Sequence, residues 1–292
     1  MATRPQFLPA TAVAVGLGAS VAWREARAFD MAVFALSMLA ALLCHAGMNT
    51  LNDYYDSKNG ADDLNRSALT PFTGGSRFIQ KGLMTQGETL ALGAALVLAG
   101  GLTGAYLAFT ISPVLFVIGL LGIASGYFYS APPFFLAGRG LGEITVGVTF
   151  GLLIVLGAYA AQTGSIGAGP AIASLPLTFL IAAILFVNEF PDFESDRAAG
   201  KRTLVVRLGP QRARWGLALI FAMAYASVVA GVILGLLPTG SLIALLTVFI
   251  AIPGALRLLR NYDRTGALTP AIKAVIAIHF FTGLIQIAAN LV

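Results

Sequence analysis

Two short acidic stretches carry most of the chemistry available to this chain. The first is Asn52-Asp53-Tyr54-Tyr55-Asp56-Ser57-Lys58-Asn59-Gly60-Ala61-Asp62-Asp63 and the second is Asn188-Glu189-Phe190-Pro191-Asp192-Phe193-Glu194-Ser195-Asp196. Together they hold eight of the thirteen acidic residues in a 292-residue chain that is only 11% charged. Their spacing is alike. Asp56 follows Asn52 by four residues, Asp192 follows Asn188 by four, and Asp196 comes four later. Residues at i, i+4 and i+8 share a helix face, so Asn188, Asp192 and Asp196 form a column of oxygen ligands if that helix continues. Pro191 either kinks the helix there or marks its end. Oxygen side chains in a column suit Mg²⁺, which keeps waters and shares its shell with phosphate. Carboxylates this dense repel one another unless a cation neutralises them. A solvated loop accounts for one such cluster better than for two, each spaced from an Asn. The pair points to Mg²⁺ and a diphosphate held between facing clusters.

Basic and aromatic residues accompany the acids. Arg66 and Arg77 follow the first cluster, Lys201 and Arg202 follow the second, and Arg139 lies between them in sequence. Metal plus Lys/Arg is a general way to hold a diphosphate and stabilise it as a leaving group. Tyr54, Tyr55, Phe72, Tyr127, Tyr129, Phe190 and Phe193 crowd the same regions. Aromatic faces stabilise cations, and a water-poor pocket protects the carbocation left when diphosphate departs from an allylic carbon. Each Tyr, taken singly, also suits a membrane-interface belt. Glu143 is placed to pair with Arg139 or another loop cation. His45 and His279 read as packing or hydrogen-bonding residues, and Cys44 as a small buried hydrophobe. No zinc, Walker, Rossmann or Ser-His-Asp pattern is present.

The elements that must position these residues are membrane helices. The chain is 58% hydrophobic with a mean hydropathy of +0.84, and its long apolar runs lack the alternation of a β-barrel. Nine runs approach the roughly 20 residues of a span: 7–23, 29–50, 88–109, 112–131, 141–161, 171–190, 212–236, 239–258 and 269–291. The first could imitate a signal peptide, but with more spans behind it, it reads as the first helix. Pro113 marks a tight turn between the third and fourth. Alternating the spans from a cytoplasmic N-terminus puts sixteen of the eighteen Lys and Arg inside and only Arg24 and Arg27 outside, as the positive-inside rule requires. That asymmetry explains the pI of about 9.6 without a nucleic-acid partner. Both acidic stretches then fall on the cytoplasmic side, in or beside long polar loops at 53–87 and 191–211. Their shared pattern suggests an internal repeat. The expected fold is an all-α integral membrane bundle of nine transmembrane helices, a single domain over residues 1–292.

At these residues the chain resembles the UbiA superfamily of intramembrane prenyltransferases. Asn52-Asp53-x-x-Asp56 and Asp192-x-x-x-Asp196 match its two Asp-rich motifs, which lie at the cytoplasmic ends of the second and sixth helices. Gly60 with Asp62 is similar to the menaquinone branch, the 1,4-dihydroxy-2-naphthoate prenyltransferases. So are Pro71-Phe72-Thr73-Gly74-Gly75-Ser76-Arg77, Tyr129-Ser130-Ala131-Pro132-Pro133, Arg139-Gly140-Leu141-Gly142-Glu143 and Gly200-Lys201-Arg202-Thr203. Glu189 and Pro191 depart from it, standing where that branch typically has a second Asn and an Arg.

The resemblance implies Mg²⁺-dependent transfer of a polyprenyl group from its diphosphate to an aromatic acceptor, 1,4-dihydroxy-2-naphthoate, whose carboxylate leaves as CO₂. It implies metal ligands at Asn52, Asp56, Asp62, Asn188, Asp192 and Asp196, and diphosphate contacts from Arg66, Arg139, Lys201 and Arg202. Asp56, Asp192, Asp196 and Lys201 would be catalytic, and Asp53, Tyr55 and Tyr129 would line the substrate pocket. It places the protein in a prokaryotic cytoplasmic membrane with its site facing the cytoplasm. The runner-up acceptors are 4-hydroxybenzoate, homogentisate, a chlorophyllide, haem or a glycerol phosphate lipid, and oligomeric state is left open. A different class, a cation- or proton-coupled transporter, is suggested by acids in a membrane protein. Against it, these acids lie at one face rather than at the midplane.

Overall fold

The computed structural model describes residues 2–65 and 68–292. Among the described residues there is no strand. The main helices are α1 (Leu8–Ala26), α2 (Met31–Asn59), α3 (Gln86–Thr110), α4 (Val114–Ser130), α5 (Gly142–Thr163), α6 (Ala168–Ala198), α7 (Gly216–Ile233), α8 (Thr239–Asn261) and α9 (Thr269–Leu291). Eight of these regions are long and apolar enough to cross a membrane. The exception is α4, whose 17 residues reach about 25 Å at the helical rise, short of a hydrocarbon core. The helices turn exposed Leu102, Phe109, Leu120, Ile233 and Phe249 outward, as a lipid-embedded surface requires.

Local chemistry sets the helix ends. Asp30 caps α2 by accepting from the Val33 N–H at 2.9 Å, and Thr85 with Glu88 forms a reciprocal capping box on α3, each satisfying orphan amides. Two helices outrun their apolar stretches. α2 continues to Asn59 and α6 to Ala198, so much of both acidic stretches is helical rather than looped. Hydropathy marks where lipid begins, whereas backbone hydrogen bonding continues while a polar face has something to pack on. Pro191 lies inside α6 and does not end it.

Close packing depends on small residues, as is usual between membrane helices. On α5, Gly147 and Gly151 meet α6 at Thr178. A Cβ on Gly147 would sit 2.7 Å from the Thr178 carbonyl oxygen, and one on Gly151 2.5 Å from Thr178 Cα. One apolar core gathers Leu180, Phe186, Leu217, Phe221, Leu258 and Ile272 from α6 to α9. A second joins Val13, Leu17 and Val21 of α1 to Val155 and Leu177. α6 contributes to both cores, and α2 and α6 both line one cavity.

Candidate active site

On α2, His45, Met48, Asn49, Asn52 and Asp56 line the cavity, a stripe that repeats every three or four residues as one helix face must. On α6 the facing stripe is Ile181, Ile184, Leu185, Asn188, Asp192, Ser195 and Asp196. Both grade from apolar or aromatic through amide to carboxylate. Beyond α2, Gly60 adopts a φ of 80° and caps the helix, a left-handed conformation that glycine takes without steric cost. The turn starts a short helix, Ala61–Leu64, and puts Asp62 on the wall of the same cavity of about 200 Å³. The spacing Gly60-x-Asp62 is thus a chain reversal that brings in a further carboxylate.

A loop then straps the two motifs together. Asn65 Nδ2 donates to Asp192 Oδ1 at 2.7 Å, and the Gly74 N–H to Asp192 Oδ2 at 3.3 Å. Two residues on, the Ser76 N–H donates to Asp53 Oδ2 at 3.2 Å. Between them Gly75, at a φ of 72°, passes so close that a Cβ would lie 2.7 Å from Asp62 Oδ2. Arg77 donates to the carbonyl oxygens of Asn65 and Asp62 at 2.9 and 3.2 Å, so it holds the loop's shape.

Two cations face these acids. Lys201 Nζ lies 3.4 Å from Asp56 Oδ2 and 3.7 Å from Asp196 Oδ1, with its side chain only 12% exposed. Its N–H donates to the Asp196 carbonyl at 2.8 Å, fixing it one turn past α6. Burial works against its charge, but Asp196 and Asp56 outweigh that and hold its pKa well above the usual lysine range. Arg4, just before α1, bonds Asn52 Oδ1 at 2.9 Å and pairs with Asp53. That pairing raises its pKa despite the cost of burial. Among the described residues Asp62 forms no such ion pair. Burial, reinforced by Asp56, pushes its carboxyl up to about 8.

The structure therefore brings Asn52, Asp56, Asp62, Asn188, Asp192, Asp196, Lys201 and Tyr129 to one cavity. It leaves Asp53, Tyr55, Arg139 and Arg202 off the wall. Asp53 is consumed by Arg4 and the Ser76 amide. Tyr55 turns its hydroxyl to Tyr127, 3.1 Å away. Arg139 and Arg202 are exposed neighbours, joined by the Arg202 N–H to the Gly138 carbonyl at 3.0 Å. Arg66 lies outside the described residues. Glu143 does not meet Arg139. It is buried beside Glu189, whose Oε2 accepts from the Val205 N–H at 3.1 Å. Sequence reasoning missed Arg4, Asn65 and the loop amides as site groups. No spacing ties Arg4 or Asn65 to their partners, although Gly74-Gly75 did mark an unusual backbone.

A second, larger cavity of about 290 Å³ lies deeper and is almost wholly apolar. Gly100, Gly101 and Gly104 of α3 and Gly119 and Gly122 of α4 form part of its wall. It shares His45, Met48, Thr149 and Phe150 with the polar cavity. The two make an amphipathic site with a charged head and a greasy tail.

The model of the UbiA prenyltransferase family matches residues 11–290. This chain belongs to the UbiA prenyltransferase family and is an integral membrane prenyltransferase. It is 31% identical to a 1,4-dihydroxy-2-naphthoate octaprenyltransferase of Bacillus subtilis (strain 168), over 89% of this chain and 80% of that protein. It is 27% identical to a 2-carboxy-1,4-naphthoquinone phytyltransferase of Synechocystis, over 98% of this chain and 91% of that one. In structure it resembles a UbiA homolog from Aeropyrum pernix K1, with a TM-score of 0.70 at 20% identity, covering 97% of this chain and 98% of the other. A UbiA homolog from Archaeoglobus fulgidus, bound to DMAPP and Mg²⁺, gives 0.67 at 18% identity, covering 98% of each chain.

Proposed function

We propose that this enzyme transfers a polyprenyl group from its diphosphate to 1,4-dihydroxy-2-naphthoate, as a step of menaquinone synthesis. The observation that carries the prenyl-transfer chemistry is Lys201 between Asp56 of one motif and Asp196 of the other, at the head of a cavity that continues into an apolar one. The acceptor rests on the naphthoate relatives. The basic-residue asymmetry supports a site facing the cytoplasm of a prokaryotic cytoplasmic membrane.

The donor set fits Mg²⁺. It is all oxygen, and two of its atoms, Asn188 Oδ1 and Asp62 Oδ2, are buried without a hydrogen-bond partner among the described residues. Among the described residues no group of three or more His, Cys, Asp or Glu is placed to hold a metal alone. That suits a cation that takes one or two carboxylates and completes its shell from water and phosphate. Asn52, Asp56 and Asp62 would hold one such ion on one wall, and Asn188, Asp192 and Asp196 another on the facing wall. Bound Mg²⁺ would supply charge that stabilises the departing diphosphate.

The chain's own groups do the rest. Lys201 meets the diphosphate with a positive charge that its two carboxylates keep in place. Arg139 and Arg202 give the approach a positive surface that attracts a diphosphate. The strap from Asn65 to Ser76 holds Asp53 and Asp192 in register. Tyr129, Phe72 and Phe150, all on the wall, exclude water and offer π-faces to the allylic cation as the C–O bond breaks. The acceptor's electron-rich carbon then attacks the cation, and its carboxylate leaves as CO₂, which restores the aromatic ring and gives a prenylated 1,4-dihydroxynaphthalene.

The test is prenyl transfer by purified protein in detergent, with a labelled polyprenyl diphosphate, an acceptor panel, and Mg²⁺ or a chelator. A prenylated naphthohydroquinone, or the quinone that air oxidation makes from it, that vanishes with chelator supports the proposal. Product with 4-hydroxybenzoate or homogentisate alone would overturn the acceptor but leave the metal chemistry standing.

A further inference from the structure

α5 is not a regular helix. Its middle, Val148–Leu153, is a π-helical stretch, a widened turn of the kind that recurs at functional sites. Threonines elsewhere in this bundle bond back to the carbonyl four residues earlier, among them Thr50, Thr145, Thr163 and Thr178, at 2.8 to 3.0 Å. Thr149 does not. Its hydroxyl is buried, the residue 8% exposed, and it has no hydrogen-bond partner among the described residues. The hydroxyl lies within the widened turn and on the wall of both cavities. Across the cavity, His45 of α2 is held by Thr11, with Nδ1 2.7 Å from its Oγ1. The imidazole centroid stands 4.3 Å from that of the Phe150 ring, and among the described residues its hydrogen bond is made through Nδ1, not Nε2.

Thr149 and His45 are the only groups with hydrogen-bonding side chains among the four residues common to both cavities. If the diphosphate lies in the polar cavity and the prenyl chain in the apolar one, the carbon that joins them crosses this neck. The attacking carbon of an acceptor must come within roughly 3–3.5 Å of it, so the acceptor ring also stands at the neck. Its oxygen substituents then need partners, because an unpaired polar group in so apolar a place is costly.

We infer that Thr149 Oγ1 and His45 Nε2 form the acceptor subsite, binding an oxygen substituent of the aromatic acceptor and orienting its ring beside Phe150. The inference rests on the prenyl-transfer reading above. It makes the π stretch a positioning device for the second substrate, separate from the acidic head that grips the first.

The experiment compares steady-state kinetics of Thr149→Val, Thr149→Ser and His45→Phe with the parent enzyme, varying each substrate in turn with Mg²⁺ saturating. Thr149→Val and His45→Phe are expected to raise the acceptor KM at least tenfold while the prenyl diphosphate KM stays within about twofold. Thr149→Ser, which keeps the hydroxyl, is expected to retain the parent acceptor KM. An unchanged acceptor KM in Thr149→Val, or equal rises in both KM values, would overturn the inference. So would Thr149→Ser behaving like Thr149→Val, since that would show a packing role. If the parent enzyme made no prenylated product from any aromatic acceptor, the underlying reading would fall and take the inference with it. A failure confined to the variants leaves prenyl transfer intact.

Discussion

Asn65, in the loop after α2, donates a 2.7 Å hydrogen bond to Asp192 on α6, and so joins the two acidic motifs through one side chain. The bond fixes one oxygen of a carboxylate whose other oxygen accepts from the Gly74 N–H. A hydrogen bond to a charged group contributes about 1.5–3 kcal/mol. Asn65→Ala is therefore expected to lower turnover roughly ten- to hundredfold and to raise the Mg²⁺ concentration needed for half-maximal rate. A metal titration of turnover checks both. Loss of rate with an unchanged metal requirement would show that Asn65 does not act through Asp192.

Gly75 belongs to the same strap and has two reasons to be glycine. Its φ is positive, and its missing Cβ would crowd Asp62. Gly75→Ala is expected to cost about 1–2 kcal/mol in backbone strain and to displace Asp62, cutting activity more than stability. Gly82 is the internal comparison, with a φ of 66° but nothing within 4 Å of a Cβ. Gly82→Ala should carry the strain without the loss of turnover. Melting temperature and rate, measured on both variants, separate the two effects.

Removing Lys201 strands two buried carboxylates. Breaking such a pair from one side typically costs about 3–5 kcal/mol. Lys201→Met is expected to lower the melting temperature in the presence of chelator and to reduce turnover at least a hundredfold. Lys201→Arg, which restores the charge in a bulkier shape, should recover the melting temperature better than the turnover. Thermal unfolding beside a rate assay reads both, and a Lys201→Met enzyme with parent-like turnover would remove Lys201 from the site.

The apolar cavity sets how much prenyl chain can enter. Gly104, Gly119 and Gly122 line it, and no atom stands where their Cβ atoms would be. Gly104→Leu or Gly119→Leu would place a side chain in that space. The expected result is a shift toward shorter donors: rate kept with a short prenyl diphosphate and lost with a long one. Mass analysis of products from a mixture of donors reports the shift directly.

Much of this site could be read from residue order because its spacing is local. Asn52 with Asp56, and Asn188 with Asp192 and Asp196, fall on one helix face by geometry alone, and long apolar runs between them mean membrane helices wherever they occur. Lys201 was legible too, since it follows α6 by only three residues. Gly60 with Asp62 carried a family resemblance, but the turn that Gly60 makes came only with the fold. Other features depend on contacts across the bundle, which no local pattern encodes. Arg4 looked like one more topogenic charge until the fold set it against Asn52 and Asp53. Tyr55 and Asp53 share a sequence motif with Asp56 but point elsewhere, because consecutive helical residues face different ways. Glu143 sits beside Glu189 instead of a loop cation, because α5 packs on α6 through Gly147 and Gly151. That same contact frames the widened turn that holds Thr149. The sequence by itself determined the membrane helices, the acidic columns and the family. Only the tertiary structure decided which polar atoms are left without partners, since that depends on how closely neighbouring helices approach.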